Sequence, residues 1–582
     1  MGREDVKKEG DFSPFGNNLT KRYVSSGGEK ALFNKYDAGN TGSVELVDYM
    51  GGDETVERVA TAGHGREIFP EQIDQKDFIY HLGYRNILPP FKSVQFKFVV
   101  QSPIEVALDF VYEPSVNVNE YSLRYSQALE SSHITSFKEL AEHMSLEEAE
   151  RFYELIKKSR EKSFTGYAEL TGGEIDMARE LARSGLGIDQ DTRYFLKIDL
   201  VSLANFSKRM RVKTRSSLSL EYLNIIEKIA SNVAPFSWNI LRSRGFTGYY
   251  IKDLSMPRDN LIVDSSLSHT SWDERETKRV IVPALEEKLF VVKSVLDHGE
   301  FQIVDYMGDD NSMAQAARVS YGEGTKTLQD NSNLIKSLIR DKHTSPIEMA
   351  EIAFESKVPV FSDPRQAGRH RTLDWHGFMG YVPIGDEFYF PDDSQFKHQD
   401  RINRQGRGKE MDDEERERAK VILMNTFRDQ LLLVDELRNH DVPENVVRRV
   451  KGVGFYTKIW RTGDTHNLMH FLGLRDHSHA QYEVREYAKQ VAEAVKAHTP
   501  VAYEAFETYR KNGMNLSEKE LRVLKRLVIE NLLSPDIDFE NLDFYTGAGF
   551  VIKDKSDPTK EKMMLGREGL DFRKKLERLL RE

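Results

Sequence analysis

An internal repeat is the feature that most restricts how this chain can fold. The heptapeptide Val47-Asp-Tyr-Met-Gly-Gly-Asp53 returns 257 residues later as Val304-Asp-Tyr-Met-Gly-Asp-Asp310. The same spacing sets Tyr112-Glu-Pro114 opposite Arg369-His-Arg371. With 582 residues, the chain is too long for one ordinary core and long enough for two copies of one fold. The repeat therefore predicts two related domains whose polar residues differ.

The repeat and the local composition divide the chain into five predicted segments. Residues 1–42 are rich in Gly, Ser, Asn and charged residues, which predicts a loosely ordered N-terminal arm. The other segments are the first repeat at 43–243, a connector at 244–298, the second repeat at 299–509 and a C-terminal helical tail at 510–582. We expect the two repeats to carry the folded structure.

Local patterns predict both strands and helices. Residues 94–100 alternate apolar and polar side chains as a strand does, and residues 350–361 are the strand candidate of the second repeat. Ser145 and Glu148 have the spacing of a capping box that opens a helix. The clearest helices of the second repeat are predicted over 414–439 and 465–498.

Charge and residue content exclude several classes of protein. The formal net charge of −11 disfavours a general nucleic-acid binder, and the basic cluster at 208–215 is predicted to be a solvated turn or an interface. The chain has no cysteine, so thiolate nucleophiles, disulfides and zinc-thiolate sites are impossible. No run approaches the roughly 18 apolar residues of a membrane span, and residues 1–16 lack the apolar stretch of a signal peptide. We expect a cytoplasmic protein with no nucleic-acid partner and no membrane contact.

One eight-residue segment concentrates positive charge. Pro364-Arg-Gln-Ala-Gly-Arg-His-Arg371 contains three arginines and a histidine. Arginine presents a rigid fork of donors that suits a phosphate or the edge of a carbonyl-rich ring. Because so dense a cluster is costly without an anion to neutralise it, the segment predicts an anion-binding loop. The alternative is a basic turn in solvent.

A second candidate region is the predicted helix that begins at residue 465. Apolar residues recur along it at helical spacing up to Arg475. His466 and His470 lie four residues apart and can share one face of the helix. A zinc site would need a third ligand, and no recognisable zinc pattern completes one nearby, so no metal is predicted.

Several motifs occur in an order that points to one family. They are His343-Thr-Ser-Pro-Ile-Glu348, a strand, Arg365-Gln366, Arg369-His-Arg371, Arg475, and Ala480-Gln481 with Glu483 and Arg485. In this order the second repeat resembles the flavin-dependent thymidylate synthase family. The family motif continues after its Arg-His-Arg with Ser-x-Asn-Glu-x-Ser-x-Arg-Tyr, and the first repeat carries this part as Asn119-Glu-Tyr-Ser-Leu-Arg-Tyr125. The resemblance covers most of both repeats. It implies an α+β fold of two tandem thymidylate synthase-like domains, each a mainly antiparallel sheet with packed helices.

The resemblance also implies roles for individual residues. Catalytic roles are implied for Gln366, Arg369 and Arg475. Contacts to FAD are implied for His343, Ser345, Arg369, His370, Arg371, His466, His470 and Asn205. Contacts to the nucleotide substrate are implied for Glu120, Ser122, Arg124, Gln366, Arg369, Arg448 and Arg475.

The two repeats depart from the family pattern at complementary positions. The first repeat replaces three elements of the second, with Tyr112-Glu-Pro114 for Arg369-His-Arg371, Asp109 for Gln366 and Met210 for Arg475. The second repeat has His376-Gly-Phe-Met-Gly-Tyr-Val382 where the first keeps Asn119 to Tyr125. Neither repeat can build a full site alone. We therefore expect each working site to join Glu120, Ser122 and Arg124 of a first repeat to the Arg369 segment of a second.

The resemblance implies reductive methylation of dUMP to dTMP, with methylenetetrahydrofolate as one-carbon donor and NADPH as reductant. The conventional thymidylate synthase needs a cysteine nucleophile, so the absence of cysteine agrees with a flavin route. A homodimer is expected, in which two chains form a pseudo-tetramer of four folds around dUMP and folate. Two alternatives stay open: a related flavin- and folate-dependent modification such as hydroxymethylation of deoxyuridylate, and a non-catalytic nucleotide-binding or assembly protein.

Overall fold

The structure is a computed structural model that describes part of the chain. The described residues are 18–61, 74–112, 116–120, 128–172, 175–213, 217–243, 274–318, 328–362, 374–375, 385–399, 407–442, 444–477, 480–513, 551–553, 563–565 and 570. The chain divides into two compact units, Met1–Lys511 and Asn512–Glu582. Both repeats belong to the first unit. The predicted helical tail at 510–582 lies mostly outside the described residues, of which Val551–Lys553 and Met563–Leu565 form strands.

The strands fall into the same pattern in both repeats. Their bounds are β1 Asn18–Thr20, β2 Lys35–Ala38, β3 Gly42–Met50, β4 Gln95–Pro103, β5 Asn117–Glu120, β6 Asp191–Asp199, β7 Arg275–Thr277, β8 Lys293–Val295, β9 Gly299–Met307, β10 Glu351–Pro359, β11 Asp374–Trp375, β12 Lys397–Gln399, β13 Arg407–Glu410, β14 Tyr456–Asp464, β15 Val551–Lys553 and β16 Met563–Leu565. One sheet has the order β2-β3-β4-β6-β5 and the other β8-β9-β10-β14-β11, all antiparallel.

The helices flank these sheets. Their bounds are α1 Ser26–Ala31, α2 Asp53–Thr61, α3 Gln75–Tyr84, α4 Ile104–Val111, α5 Phe137–Ala141, α6 Leu146–Thr171, α7 Arg179–Ala182, α8 Leu200–Lys213, α9 Ser217–Val233, α10 Pro235–Ser243, α11 Pro283–Glu286, α12 Asp310–Arg318, α13 Leu328–Arg340, α14 Asp413–Asn439, α15 Glu444–Val447, α16 Thr465–Arg475, α17 Tyr482–His498 and α18 Pro500–Phe506. Short 3-10 turns cover Pro89–Ser93, Arg183–Gly185, Ile347–Met349, Asp393–Gln395 and Arg448–Val450, and a π-helical turn covers Glu507–Lys511. The predicted α+β class with two tandem antiparallel domains is confirmed.

Most of the predicted elements are present with small shifts at their ends. The strands predicted at 94–100 and 350–361 are β4 and β10, and Ser145 caps α6 with the predicted capping box to Glu148. The single helix predicted over 465–498 is wrong, because it is divided into α16 and α17. The division follows Arg475, where Asp, His and Ser residues favour turns over helix interior.

The predicted loosely ordered arm also differs from the structure, which forms β1, α1 and β2 between residues 18 and 38. The equivalent pieces of the second repeat, β7 and β8, lie inside the predicted connector. These strands are too short for hydrophobic periodicity to reveal them. They are ordered by pairing, since β1 runs antiparallel to β7 with Leu19 opposite Glu276. The positions of the five segment boundaries stay predictions.

Each sheet is covered on both faces. In β4, Phe96, Phe98 and Val100 belong to the helix-packed core of the first repeat. The alternate residues Gln95 and Lys97 are only 5% and 3% exposed, because they face the second repeat rather than water. The pairing of the central strands skips one residue in each repeat, Val47 in β3 and Val304 in β9. These two valines belong to smaller clusters that mix side chains of the two repeats.

A buried arginine joins the equivalent strands β3 and β9. Arg279 places Nε 3.2 Å from Asp48 Oδ1 and Nη2 3.1 Å from Asp305 Oδ1, and its side chain is fully buried. Each carboxylate also accepts a backbone N–H from the opposite repeat, Asp48 from Gly308 at 2.9 Å and Asp305 from Gly51 at 3.2 Å. Burial alone would lower the pKa of Arg279, but the charges of Asp305 and Asp48 outweigh burial and raise it. We call Arg279 with these two aspartates the arginine clasp.

Gly51 and Gly308, whose N–H groups the two aspartates accept, have a backbone conformation that requires glycine. Gly51 and Gly308 have φ angles of +71° and +72°, a region that other residues rarely adopt. A Cβ added at Gly51 would lie 2.7 Å from the carbonyl oxygen of Ser93, and one added at Gly308 would lie 2.8 Å from that of Met349. The glycine that recurs in the repeated heptapeptide thus lets the turn after each central strand lie against a backbone carbonyl of its own repeat.

The clasp should contribute strongly to stability. Replacing Arg279 by Met leaves two buried carboxylates without their cation, so the free energy of unfolding should fall by about 3–5 kcal/mol. Arg275→Ala is the control, because its ion pair with Glu54 is 41% exposed on both sides and should contribute less than about 1 kcal/mol. Urea unfolding of both variants measures the difference, and equal losses would contradict this role.

His498 should make stability depend on pH. Its Nε2 lies 2.8 Å from the carbonyl oxygen of Gly308, and burial lowers its pKa from 6.5 to about 4. Between these values the unfolded chain binds more protons than the folded chain, so the free energy of unfolding falls as the pH falls from 6.5 to 4. His498→Gln removes this dependence. Unfolding titrations from pH 7 to 4 should show the wild-type protein losing up to about 3 kcal/mol relative to the variant, and parallel curves would refute the assignment.

Candidate active site

Several residues with predicted site roles lie outside the described part of the chain. They are Ser122, Arg124, Gln366, Arg369, His370 and Arg371. Arg448 begins the 3-10 turn Arg448–Val450, and only its backbone is described. The described residues with predicted roles are Glu120, Asn205, His343, Ser345, His466, His470 and Arg475. Their predicted roles stay predictions, and their positions follow.

Strand β5 of the first repeat meets the segment before β10 of the second repeat in the same chain. Ser345 donates its hydroxyl proton to Oδ1 of Asn119 at 2.9 Å. The amide of Asn119 donates to the carbonyl of Ala316 at 2.5 Å, and the amide of Asn117 donates to Glu348 Oε2 at 2.9 Å. Asn119 itself is only 8% exposed, while Asn117, Ser345 and Glu348 are partly buried. Asn119 directly precedes Glu120 in the motif that only the first repeat keeps.

The bond to Asn119 restricts what Ser345 can offer a ligand. A serine hydroxyl has one proton and two acceptor lone pairs, and that proton is directed to Asn119. A ligand group next to Ser345 therefore has to donate a hydrogen bond to its oxygen. This chemistry matches an N–H or O–H group and not a phosphate oxygen.

His343 is held by the end of the preceding helix. The backbone N–H of His343 donates to the carbonyl of Leu338 at 2.9 Å, and Lys342 has a φ angle of +63°. This is the hydrogen-bond pattern of a Schellman motif after α13. The first repeat has the same turn, with Asn86 at φ +63° and Ile87 N donating to Leu82 O. The motif fixes the backbone of His343 and leaves its side chain exposed.

Glu120 lies at the end of β5, the outermost strand of its sheet. Its carboxylate accepts a hydrogen bond from Thr192 Oγ1 at 3.0 Å. Burial raises the pKa of Glu120, while the hydrogen bond from Thr192 and the charge of Arg183 oppose that shift. Glu120 therefore holds a proton more readily than a fully hydrated glutamate.

The helix α16 carries three of the predicted site residues. Asp464 ends β14 and caps the helix, accepting the N–H of Asn467 at 2.9 Å. Near this end, burial lowers the pKa of His466, although the charge of Asp464 opposes the shift. His470 is exposed one turn later, and Arg475 ends the helix in a partly buried position. Within the described residues no group of His, Asp and Glu is arranged to hold a metal ion.

The first repeat carries different side chains at the positions equivalent to Arg475, Arg369 and Gln366. Met210, in place of Arg475, is 6% exposed and belongs to the hydrophobic core. Tyr112, in place of Arg369, is 79% exposed. Asp109, in place of Gln366, accepts a hydrogen bond from Ser219 at 2.7 Å. Asn205 is exposed on α8. The same helix contains residues 208–213 of the basic cluster, so this part of the cluster is helical and not the turn that was one of the two predictions for it.

A buried lysine next to β5 was missed in the sequence. Lys197, which pairs with Asn117 across β5 and β6, lies 2.8 Å from Glu351 Oε2 and 3.8 Å from Asp464 Oδ2 of the second repeat. Burial alone would lower its pKa, but the charges of Glu351 and Asp464 raise it. The available signal was a lysine inside the otherwise apolar run from Tyr194 to Ile198. We define the polar junction as Asn117, Asn119 and Lys197 with Ser345, Glu348, Glu351 and Asp464.

Comparison with known proteins agrees with the duplicated arrangement. The family model described as Thymidylate synthase complementing protein matches residues 45–235 and again 302–501. The chain belongs to this family. The flavin-dependent thymidylate synthase of Rickettsia typhi is 43% identical over 266 residues, which cover 43% of this chain and 90% of that protein. The flavin-dependent thymidylate synthase of Ruegeria pomeroyi is 38% identical over 271 residues, covering 46% of this chain and 88% of that protein.

Among solved structures, the UMP/dUMP methylase PolB from Streptomyces cacaoi bound with 5-Br UMP aligns with 26% identity and a TM-score of 0.34, covering 38% of this chain and 99% of that chain. The two matches of the Thymidylate synthase complementing protein model confirm the predicted resemblance and the enzyme class that it implies. Within the described residues, no helix is long and apolar enough to cross a membrane.

The energy of the hydrogen bond between Asn119 and Ser345 can be measured in the ligand-free protein. Asn119→Ala and Ser345→Ala are each expected to lower the free energy of unfolding, and the double variant should lose less than the sum of the two. The coupling energy should be about 0.5–1.5 kcal/mol, as for a direct hydrogen bond. A parallel cycle of Asn119→Ala with the distant Thr426→Ala should give no coupling. Additive losses in the first cycle would exclude the contact.

Proposed function

We propose that this protein is a flavin-dependent enzyme that methylates carbon 5 of dUMP to give dTMP, with one working site per chain built from both repeats. The observation that carries the proposal is the bond between Asn119 and Ser345. It brings Asn119, the first residue of the Asn-Glu-x-Ser-x-Arg motif of the first repeat, into contact with Ser345 in the His343–Glu348 segment of the second, in one chain. The names of the flavin-dependent relatives support the choice of reaction.

The described residues fit a flavin in their chemistry. The isoalloxazine ring presents carbonyl and imine acceptors and one N–H donor, so it needs both kinds of partner. Ser345 offers an acceptor, and the exposed imidazoles of His343 and His470 can donate or accept. His343, Ser345, His466 and His470 would hold the flavin together with Arg369, His370, Arg371 and, from the first repeat, Asn205. Reduced flavin, when bound, supplies the hydride that converts a transferred methylene unit into a methyl group.

The protein itself has to bind an anionic nucleotide and polarise its uracil ring. Arg475 and Arg369 would neutralise the phosphate, Gln366 and Arg448 would contact the nucleotide, and Glu120, Ser122 and Arg124 would approach it from the first repeat. Guanidinium groups that are already fixed in place stabilise the negative charge of the phosphate and of the polarised ring, because they need not reorient during the reaction. Methylenetetrahydrofolate is the proposed one-carbon donor and NADPH the proposed reductant, which balances the two electrons gained by the methylene carbon.

We further propose that two chains associate into a pseudo-tetramer of four folds. The long helices α6 and α14 support association, because each leaves large apolar side chains exposed. These are Leu146, Phe152 and Leu155 on α6, and Val421, Ile422, Met424, Leu432 and Leu433 on α14. Such clustered apolar exposure is typical of protein interfaces.

Flavin binding and turnover test the shared site. Titration of the purified chain should saturate near one flavin per chain, or two per homodimer, and a value near two per chain would contradict the proposal. Glu120→Ala combined with Ser122→Ala, and separately Arg369→Ala, should reduce dTMP formation by roughly 100-fold or more because each removes one half of the site. Tyr112→Ala, at the position equivalent to Arg369, is the matched control and should retain activity.

Mass spectrometry of the product distinguishes the related reactions. A methyl group on carbon 5 is the expected result, and a hydroxymethyl group would assign the alternative motivated by His466 and His470, which stand where the family more often has Arg and Asn. A protein that binds deoxyuridylate, but neither flavin nor folate, would instead be a non-catalytic nucleotide-binding protein.

A further inference from the structure

Lys197 is buried at the boundary between the repeats, although no contact with a ligand is predicted for it. It lies in the middle of β6, is 5% exposed, and directs its ammonium group to Glu351 and Asp464 of the other repeat. A buried lysine is costly unless anions neutralise it. Two carboxylates from the second repeat supply that neutralisation across the boundary between the repeats.

The equivalent half of the chain has no such charge. The position equivalent to Lys197 is Thr462, and the position equivalent to Glu351 is Gln95. The Nε2 atom of Gln95 donates to Glu351 Oε1 at 2.5 Å and lies 3.4 Å from Thr462 Oγ1, so the equivalent positions carry two neutral side chains where Lys197 and Glu351 form an ion pair. The same neutral half carries the buried Met210 in place of Arg475. The Lys197–Glu351 ion pair and Arg475 at the end of α16 therefore belong to the same half.

Asp464 links the ion pair to the helix of the candidate site. One of its oxygens accepts the N–H of Asn467, and the other accepts the side-chain amide of Asn467 at 2.8 Å and faces Lys197. The helix α16 begins at the next residue and ends at Arg475. On the other side, β6 pairs with β5, which carries Asn119 and Glu120. Lys197 thus connects the strand of one half-site to the first turn of the helix of the other.

We propose that Lys197 is a positioning residue that sets α16 against the first repeat, so that Arg475 can bind the nucleotide opposite Glu120. The inference rests on the proposed function and adds a reason why only one of two equivalent halves works. A shift of α16 moves Arg475 without removing any group that touches the ligand. Nucleotide affinity should therefore suffer more than the rate at saturating nucleotide.

Four variants of the full, flavin-loaded chain separate positioning from stability. Lys197→Met removes the cation, and Lys197→Arg replaces it with another. Lys197→Met combined with Glu351→Gln restores charge balance at Glu351 but leaves Asp464 without its cation. Thr462→Val is the matched control at the equivalent position of the neutral half.

The dissociation constant of dUMP, measured by calorimetry, and the thermal midpoint are the two readouts. Lys197→Met should raise the dissociation constant about tenfold or more and lower the midpoint, with kcat at saturating dUMP within about threefold of wild type. Lys197→Arg should stay within about threefold of wild type in affinity. The double variant should recover the midpoint but not the affinity. Thr462→Val removes a buried hydroxyl and lowers the midpoint slightly, but it should leave the affinity for dUMP unchanged.

Two results would overturn the inference. One is an unchanged dUMP dissociation constant in Lys197→Met or, if that variant does not fold, in the double variant, because the lysine would then act on stability alone. The other is an equal loss of affinity in Thr462→Val. Failure of the proposed function is recognised separately, since the wild-type protein would then form no dTMP, whatever its affinity for dUMP.

Discussion

The arginine clasp is the interaction on which the rest of the structure depends. A guanidinium group in a fully buried position holds one aspartate from the central sheet of each repeat. Each aspartate also accepts a backbone N–H from the opposite repeat, so the clasp fixes strands as well as side chains. Arg22, at the position equivalent to Arg279, is also fully buried, but it contacts Glu286 and the backbone of Tyr306 instead of the two aspartates. The two repeats are therefore joined by directional contacts of equivalent arginines that differ in their partners.

Departures from the sequence symmetry of the two repeats are concentrated at the polar junction. Around the clasp the equivalent residues are identical, but at the polar junction they differ in charge and hydrogen-bonding capacity. Lys197, Glu351 and Asp464 on one side correspond to Thr462, Gln95 and Asp199 on the other. Asn119 and Ser345 meet on the charged side. Duplication thus supplied the scaffold, and divergence of a few buried polar residues distinguishes the two halves.

Hydrophobic periodicity predicted the long elements well because it reports which side of a strand or helix is apolar. It located β4, β10 and α14 within a few residues, and the capping box of Ser145 and Glu148 located the start of α6. It could not locate β1, β7 or β11, which contain two or three residues and are ordered by their partners. It also could not foresee that Gln95 and Lys97, a pattern typical of a solvent-facing strand surface, are buried against the second repeat. Alternation along a strand carries no information about what covers its polar face.

The sequence by itself determined that two copies of one fold are present, that the fold is α+β, and that the motifs of one family are divided between the copies. It also excluded cysteine chemistry. Only the tertiary structure decided that Asn119 and Ser345 meet within one chain and that Lys197 crosses the boundary to Asp464. The physical reason is that these contacts join residues separated by more than 200 positions, and their geometry depends on how two sheets pack rather than on any local pattern.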